Sequence, residues 1–168
     1  MYYDLFNGDE IMRIAVIADI HGNSDALQAV LKDIKKEKIQ EIYCCGNIIG
    51  YNADPRTCIK LVQNNRITCV QGDYDFVVVT LQNLERFTEP ARAAIMWTYQ
   101  LLWKKEKKFL GSLPIDLVED NMTIMHGSPR AQFPGIDAAD LKSMAKRVKT
   151  KMLFFGHTHI PFVKDVEG

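Results

Sequence analysis

The sequence predicts an α/β fold built on a largely parallel sheet. Three observations lead there. Short apolar, β-branched runs alternate with amphipathic stretches, each run ends in a loop rich in Gly, Asp, Asn or His, and all four histidines of the 168-residue chain fall in those loops. In open parallel sheets the carboxyl ends of the strands are where a site assembles, so the loops are read as the functional part of the molecule.

The elements follow in order. Residues 13–18 (RIAVIA) form the first strand and end in DIHGN. Ser24 is placed to cap a helix whose apolar positions Leu27, Val30, Leu31 and Ile34 recur at helical spacing. EIYCC (41–45) is the next strand, GNIIGYNADP a Gly- and Pro-marked loop, and 56–63 a helix. RITCV (66–70) is a third strand, closed by the loop QGDYD. From Thr88 to about Gly111 the pattern reads as one long helix with Pro90 in its first turn. NMTIM (121–125) is a strand ending in HGSPR, residues 137–147 a helix, and MLFF (152–155) a strand ending in GHTH. Residues 1–12 read as an N-terminal extension, and 13–168 as a single domain.

Composition narrows the function classes. The chain is 47% hydrophobic and 25% charged, enough to bury a core and unlike a disordered chain. Twenty-one basic residues balance twenty-one acidic ones, so no overall field directs it to nucleic acid or anionic lipid. Lys104, Lys105, Lys107 and Lys108 read as the solvated end of a helix, where they complement its dipole. No apolar run reaches the roughly 20 residues of a membrane span, and MYYDLFNGDE lacks the order of a signal peptide. Cys44, Cys45, Cys58 and Cys69 have neither zinc-knuckle spacing nor the density of a disulfide scaffold. The expected compartment is the cytoplasm.

The chemistry rests on His21, His126, His157 and His159, each one to four residues past an apolar strand and close to a glycine. In Asp19-Ile20-His21 and His157-Thr158-His159 one residue separates the polar pair. In an extended segment both side chains of a pair project to one face, so each pair can grip one site. Imidazoles and carboxylates at converging loops suit a divalent transition metal: manganese, iron, nickel or zinc. Arg130, after the His126 loop, either offers a planar fork of donors as a phosphate clamp or is an ordinary surface arginine, and Tyr51 and Asn52 either line the same cleft or belong to a turn in YNADP.

DIHGN (19–23), GNIIGYNADP (46–55), GDYD (72–75), HGSPR (126–130) and GHTH (156–159), in that order and at those intervals, resemble the motifs of the calcineurin-like metallophosphoesterases, in their compact bacterial and archaeal branch. The resemblance implies a four-layer α/β/β/α sandwich of the metallo-dependent phosphatase type with two metals at the strand ends. It implies a hydrolase that cleaves small phosphomono- or phosphodiesters with a metal-activated water. Carried over by position, Asp19, His21 and His159 would hold the first metal and His126 and His157 the second. Position 47 would bridge them, position 73 would complete the second, and position 74 would protonate the leaving oxygen.

Three of these positions depart from the family pattern: Asn47 stands for the bridging aspartate, Asp73 for the ligand asparagine and Tyr74 for the general-acid histidine. Even so, Asp19, His21 and His159 form one complete set of two histidines and a carboxylate, and Asp73, His126 and His157 another. A neutral amide bridges two dications poorly, so one site is expected to fill tightly and the other weakly. Tyr74 is a weak proton donor near neutral pH, and Asp75 is left to orient it.

The family usually continues through further strands of the second sheet, and only nine residues follow His159 here. A shortened second sheet leaves an apolar edge to be covered by another chain (a second copy included) or by the N-terminal extension, unless the sequence is a fragment. The rival to a phosphoesterase is therefore a catalytically impaired protein of the same fold that serves as a binding or scaffold module. Polynucleotide binding has only the lysine-rich helix end in its favour.

Overall fold

In the computed structural model of the chain, residues 1–7, 10–39, 41–119, 121–127 and 141–166 are described. The first sheet has the order β1-β2-β3-β4, from β1 (Tyr2–Asn7), β2 (Glu10–Ile17), β3 (Glu41–Cys44) and β4 (Thr68–Cys69). The β1–β2 pair is antiparallel, Tyr2 opposite Ala15, and the β2–β3 and β3–β4 pairs are parallel. Thus the stretch assigned to an extension contributes an edge strand to this sheet. The second sheet has the order β5-β6-β7, with β5 (Asp116–Glu119) antiparallel to β6 (Met122–Met125) and β6 parallel to β7 (Met152–Phe154).

Alternation along β3 divides the interior in two. Tyr43 and Cys45 face one way and join Ile14, Val70, Met122, Ile124 and Phe154 in the layer between the sheets. Cys44 faces the other way, into a larger core with Leu27, Ile59, Val62, Val77, Ile95 and Leu110 from the helices. These helices are α1 (Ser24–Lys36), α2 (Pro55–Asn64), α3 (Asp73–Thr80), α4 (Glu89–Leu101) and α5 (Lys104–Gly111); α6 (Leu141–Ala145) lies between β6 and β7 in the chain. The sequence-predicted sandwich of two sheets with flanking helices is the architecture observed. No helix among the described residues is long and apolar enough to cross a membrane.

Several elements differ from the sequence reading. The N-cap of α1 is Asn23, whose side chain accepts the Ala26 N–H, and Ser24 is the first helical residue. The helix expected from Thr88 to Gly111 is two helices. Leu102 turns extended to drop its side chain into the core, and the Glu106 carboxylate then accepts the Trp103 N–H to start α5. The loop QGDYD is a helix start: Asp73 opens α3, whose apolar run FVVV lies in a helix that is mostly buried. β5, four residues with little apolar alternation, exists because β6 pairs with it. Of the helix expected over 137–147, residues 141–145 are helical, and 137–140 lie outside the described residues.

Candidate metal centre

The ends of β2, β3 and β4 and the segments after β6 and β7 converge on one region, and the backbone there is unusual. Asp19, His21, Asn47, His157 and His159 all take left-handed conformations, with φ between 49° and 69°. Such conformations are uncommon outside glycine, and their clustering marks a site where neighbouring structure holds the chain in place. This corrects the alternation argument for Asp19 and His21. Their side chains meet because tight turns at both residues redirect the chain, not because the segment is extended. His157 and His159 do not share a site at all; they part to two different groups.

The first group is Asp19, His21 and His159, and the second is Asp73, His126 and His157, each with one potential ligand atom per residue within 4.8 Å of the others. In the first, His21 Nε2 lies 3.0 Å from His159 Nε2, and Asp19 Oδ1 lies 3.6 Å and 3.5 Å from those nitrogens. In the second, His126 Nε2 is 3.2 Å from Asp73 Oδ1 and His157 Nδ1 is 3.7 Å from Asp73 Oδ2. Ligands about 2.1 Å from one ion sit ~3.0 Å apart at right angles and ~3.4 Å apart at tetrahedral angles, so these spacings fit one ion per group.

Protonation chemistry supports the same fit. His126 Nδ1 lies 2.7 Å from the Cys45 carbonyl oxygen, which can only accept, so Nδ1 carries the proton and Nε2 turns a lone pair toward Asp73. That Nε2 is buried and makes no hydrogen bond of normal geometry among the described residues. His21 Nδ1 is likewise buried, with no hydrogen-bond partner among the described residues. A lone pair aimed at a carboxylate in a buried site requires a cation between or beside them, supplied either by a proton or by a metal. Burial alone would push His126 down, but the Asp73 carboxylate outweighs it and holds the imidazole above its ordinary value. Burial would raise Asp73 and Asp19, and the surrounding imidazoles instead hold both below the usual carboxylate range. His157 is lowered, mainly by burial.

Asn47 ties Asp19 to the start of α3, which carries Asp73, by hydrogen bonds. Its Oδ1 accepts the Tyr74 N–H at 3.0 Å and its Nδ2 donates to Asp19 Oδ1 at 3.3 Å. Since a backbone N–H can only donate, the amide orientation is fixed by chemistry. Asp19 Oδ2 in turn accepts the His157 N–H at 2.9 Å. Two glycines permit this closeness. A Cβ at Gly72 would fall 2.2 Å from Asn47 Oδ1, and one at Gly156 would fall 2.8 Å from Asp19 Oδ2.

The other sequence candidates are placed as follows. Tyr74 is buried, with its ring against His21, Tyr51 and Phe87, and burial together with the neighbouring Tyr51 hydroxyl raises its phenol far above the ordinary value. Asp75 is fully buried and its carboxylate accepts N–H groups from Ile48, Ile49 and Gly72. It ties the loop after β3 to the start of α3. Arg130 lies outside the described residues. Tyr51 and Asn52 do line a cleft of about 600 Å³ that opens beside Asp19, His21 and His159. Asn52 donates twice to the His21 carbonyl, from its backbone and from its side chain, and so holds the turn at His21. Only the Gly-bounded position of Asn52 in GYNADP hinted at that role.

Two sheets packed face to face, with paired histidine and carboxylate groups at the strand ends, define a metallo-dependent phosphatase fold. More narrowly, the chain belongs to the calcineurin-like phosphoesterase superfamily, whose domain matches residues 12–168. It is 37% identical over 162 residues to an uncharacterized protein of Methanocaldococcus jannaschii, covering 92% of this chain and 65% of that protein. Among solved structures it resembles a metallophosphoesterase from Sphaerobacter thermophilus, with 35% identity and a TM-score of 0.76 over 89% of this chain and 62% of that one. A hypothetical protein from Pyrococcus horikoshii shares the fold, with 24% identity and a TM-score of 0.79 over 88% of this chain and 70% of that one. The chain thus spans less than two thirds of the first two relatives. The superfamily is one of metal-dependent phosphoesterases, and the two ligand groups are candidate metal sites in keeping with it.

Proposed function

We propose that this chain hydrolyses phosphomono- or phosphodiesters with divalent transition metal, such as manganese, iron, nickel or zinc, held by Asp19, His21 and His159 and by Asp73, His126 and His157. The observation that carries this reading is the buried Nε2 of His126, which faces Asp73 Oδ1 at 3.2 Å and makes no hydrogen bond of normal geometry among the described residues. When bound, the metals supply an activated water and neutralise charge on the phosphoryl oxygens. The chain does the rest by positioning. Cys45 fixes the tautomer of His126 through its carbonyl, Asn47 and the His157 N–H orient the two oxygens of Asp19, and Asp75 anchors the loop that carries Asn47. Arg130 is assigned to the phosphate as its clamp.

Tyr74 favours a second reading, a catalytically impaired binding module. Its raised phenol is a poor acid at neutral pH, so the chain has no imidazole at the position that would protonate the leaving oxygen. Metal content of protein purified without chelator, measured alongside phosphoester hydrolysis, separates the readings. The phosphoesterase reading expects one to two equivalents of metal and hydrolysis that chelator abolishes and manganese restores. Bound metal without hydrolysis of any ester supports the module. Absence of metal binding overturns both roles for the two groups.

A further inference from the structure

The cleft beside the first ligand group has a composition that speaks to what lies on the far side of the phosphorus. It runs from Asp19, His21 and His159 between the first turns of α1 and residues 155–161. Apart from the ligand group itself, its described lining contains no charged side chain. Leu27, Val30, Phe155, Ile160 and Pro161 make it apolar, and the polar groups present are the amides of Asn23 and Asn52 and the hydroxyl of Thr158. Among the described residues, a second phosphate or a carboxylate on the substrate would find no cationic side chain there. At about 600 Å³ the cleft has the size of a typical small-molecule site.

Tyr51 supplies the shape. Its ring is half-exposed, and it packs 4.7 Å from the His21 ring and 4.7 Å from the Tyr74 ring, with the His159 ring 6.4 Å away. Those contacts brace it from the protein side. The exposed part of the ring is a flat surface directly beside the ligand atoms, and flat aromatic surfaces bind planar groups by stacking and by burial of apolar area.

We propose that Tyr51 is the aromatic wall of a leaving-group subsite, and that the cleft takes phosphoesters whose organic part is an uncharged planar aromatic or heteroaromatic ring. This rests on the phosphoesterase reading above and adds the substrate class. A simple aryl group and a nucleobase share the chemistry that the wall recognises. Sugar phosphates and polyphosphates are disfavoured, because neither offers a flat apolar face and the second adds charge.

The test is equilibrium binding, so it does not depend on turnover. Calorimetry with manganese-loaded protein compares methylphosphonate, phenylphosphonate and the 5′-phosphonate isostere of adenosine 5′-monophosphate, in which carbon replaces the ester oxygen and hydrolysis is blocked. Phenylphosphonate is expected to bind about 10-fold more tightly than methylphosphonate, in line with one aromatic contact. Tyr51→Ala should shrink that ratio to near one, and Tyr51→Phe should keep it, since the ring and not the hydroxyl is the surface used. A ring preference for the adenosine phosphonate that Tyr51→Ala removes would extend the wall to nucleobases; tight phenylphosphonate binding without it would confine the wall to small aryl groups. If methylphosphonate binds and the phenyl group adds nothing, or if Tyr51→Ala leaves the ratio intact, the subsite assignment is overturned while the phosphoesterase reading stands. If no phosphonate and no phosphate binds the metal-loaded protein, the phosphoesterase reading itself fails.

Discussion

The amide of Asn47 holds the carboxylate of Asp19: Nδ2 donates to Asp19 Oδ1 at 3.3 Å while Oδ1 is turned away to accept the Tyr74 N–H. In this orientation position 47 offers a donor, not a negative oxygen, to the region between the two ligand groups. A hydrogen bond thus stands where the family pattern implies an ionic bridge.

Replacing that donor by a carboxylate has an expected cost. In metal-free protein Asn47→Asp sets one carboxylate against another and removes a hydrogen bond to a charged group, a loss of about 1.5–3 kcal/mol. For a chain of this size that is a fall in Tm of roughly 3–12 °C, read by thermal denaturation in chelator. Manganese should reverse the loss. Adding Asp73→Asn restores the charge count and should raise occupancy of the weaker site. The two changes should be non-additive in both stability and metal affinity, because they act on one connected group. Additive behaviour would mean that the exchange of Asn and Asp is coincidental.

Asp73 and His126 predict opposite pH behaviour with and without metal. Asp73 is lowered in the folded chain, so its contribution is present above about 3.9 and is lost as pH falls through its folded value. His126 is raised, so its contribution is present below about 6.5 and is lost as pH rises through its folded value. In chelator, the pair should therefore stabilise the protein most between those limits, with Tm falling on the alkaline side, and His126→Gln should flatten that alkaline fall. With manganese the order reverses on that side. Ligand imidazoles must be neutral, so the Tm gain from metal should be larger at pH 8 than at pH 6.

Tyr74 predicts a leaving-group dependence. An alcohol leaves slowly unless it is protonated, while an activated phenol departs unaided, and a buried phenol with a raised pKa is a poor donor. Tyr74→His should accelerate alkyl phosphoesters by about 10- to 100-fold and aryl esters little, in metal-saturated protein. Equal gains on both would assign position 74 to packing against His21 rather than to proton donation.

Asp75 predicts a purely structural penalty. Its carboxylate is the acceptor for three N–H groups, from Ile48, Ile49 and Gly72. Asp75→Ala leaves three buried donors unmet, each worth about 1–3 kcal/mol, so a loss of ~3 kcal/mol or more and a Tm drop above about 6 °C are expected. Metal affinity should fall along with it, since the loop bearing Asn47 and the start of α3 bearing Asp73 are what the carboxylate joins.

The amino-acid sequence by itself pointed to the alternation of strands and helices, to Leu27, Leu31 and Ile34 on the inner face of α1, although Val30 is exposed, and to Asp19 and the four histidines as candidate ligands, because period and the chemistry of His and Asp are local properties. It also marked Asn47, Asp73 and Tyr74 as departures. What it could not determine depended on distant partners. β1 and β5 are strands because β2 and β6 offer edges, FVVV is helical because Asp73 and Asp75 start a helix that the core then buries, and the helix after Thr88 breaks because Leu102 is pulled inward. For the GHTH histidines the one-residue spacing pointed to a single site, whereas the family resemblance divided them between two groups, and the tertiary structure follows the resemblance. His157 and His159 are two residues apart, yet each takes a left-handed turn, and the turns send one ring to Asp73 and the other to Asp19.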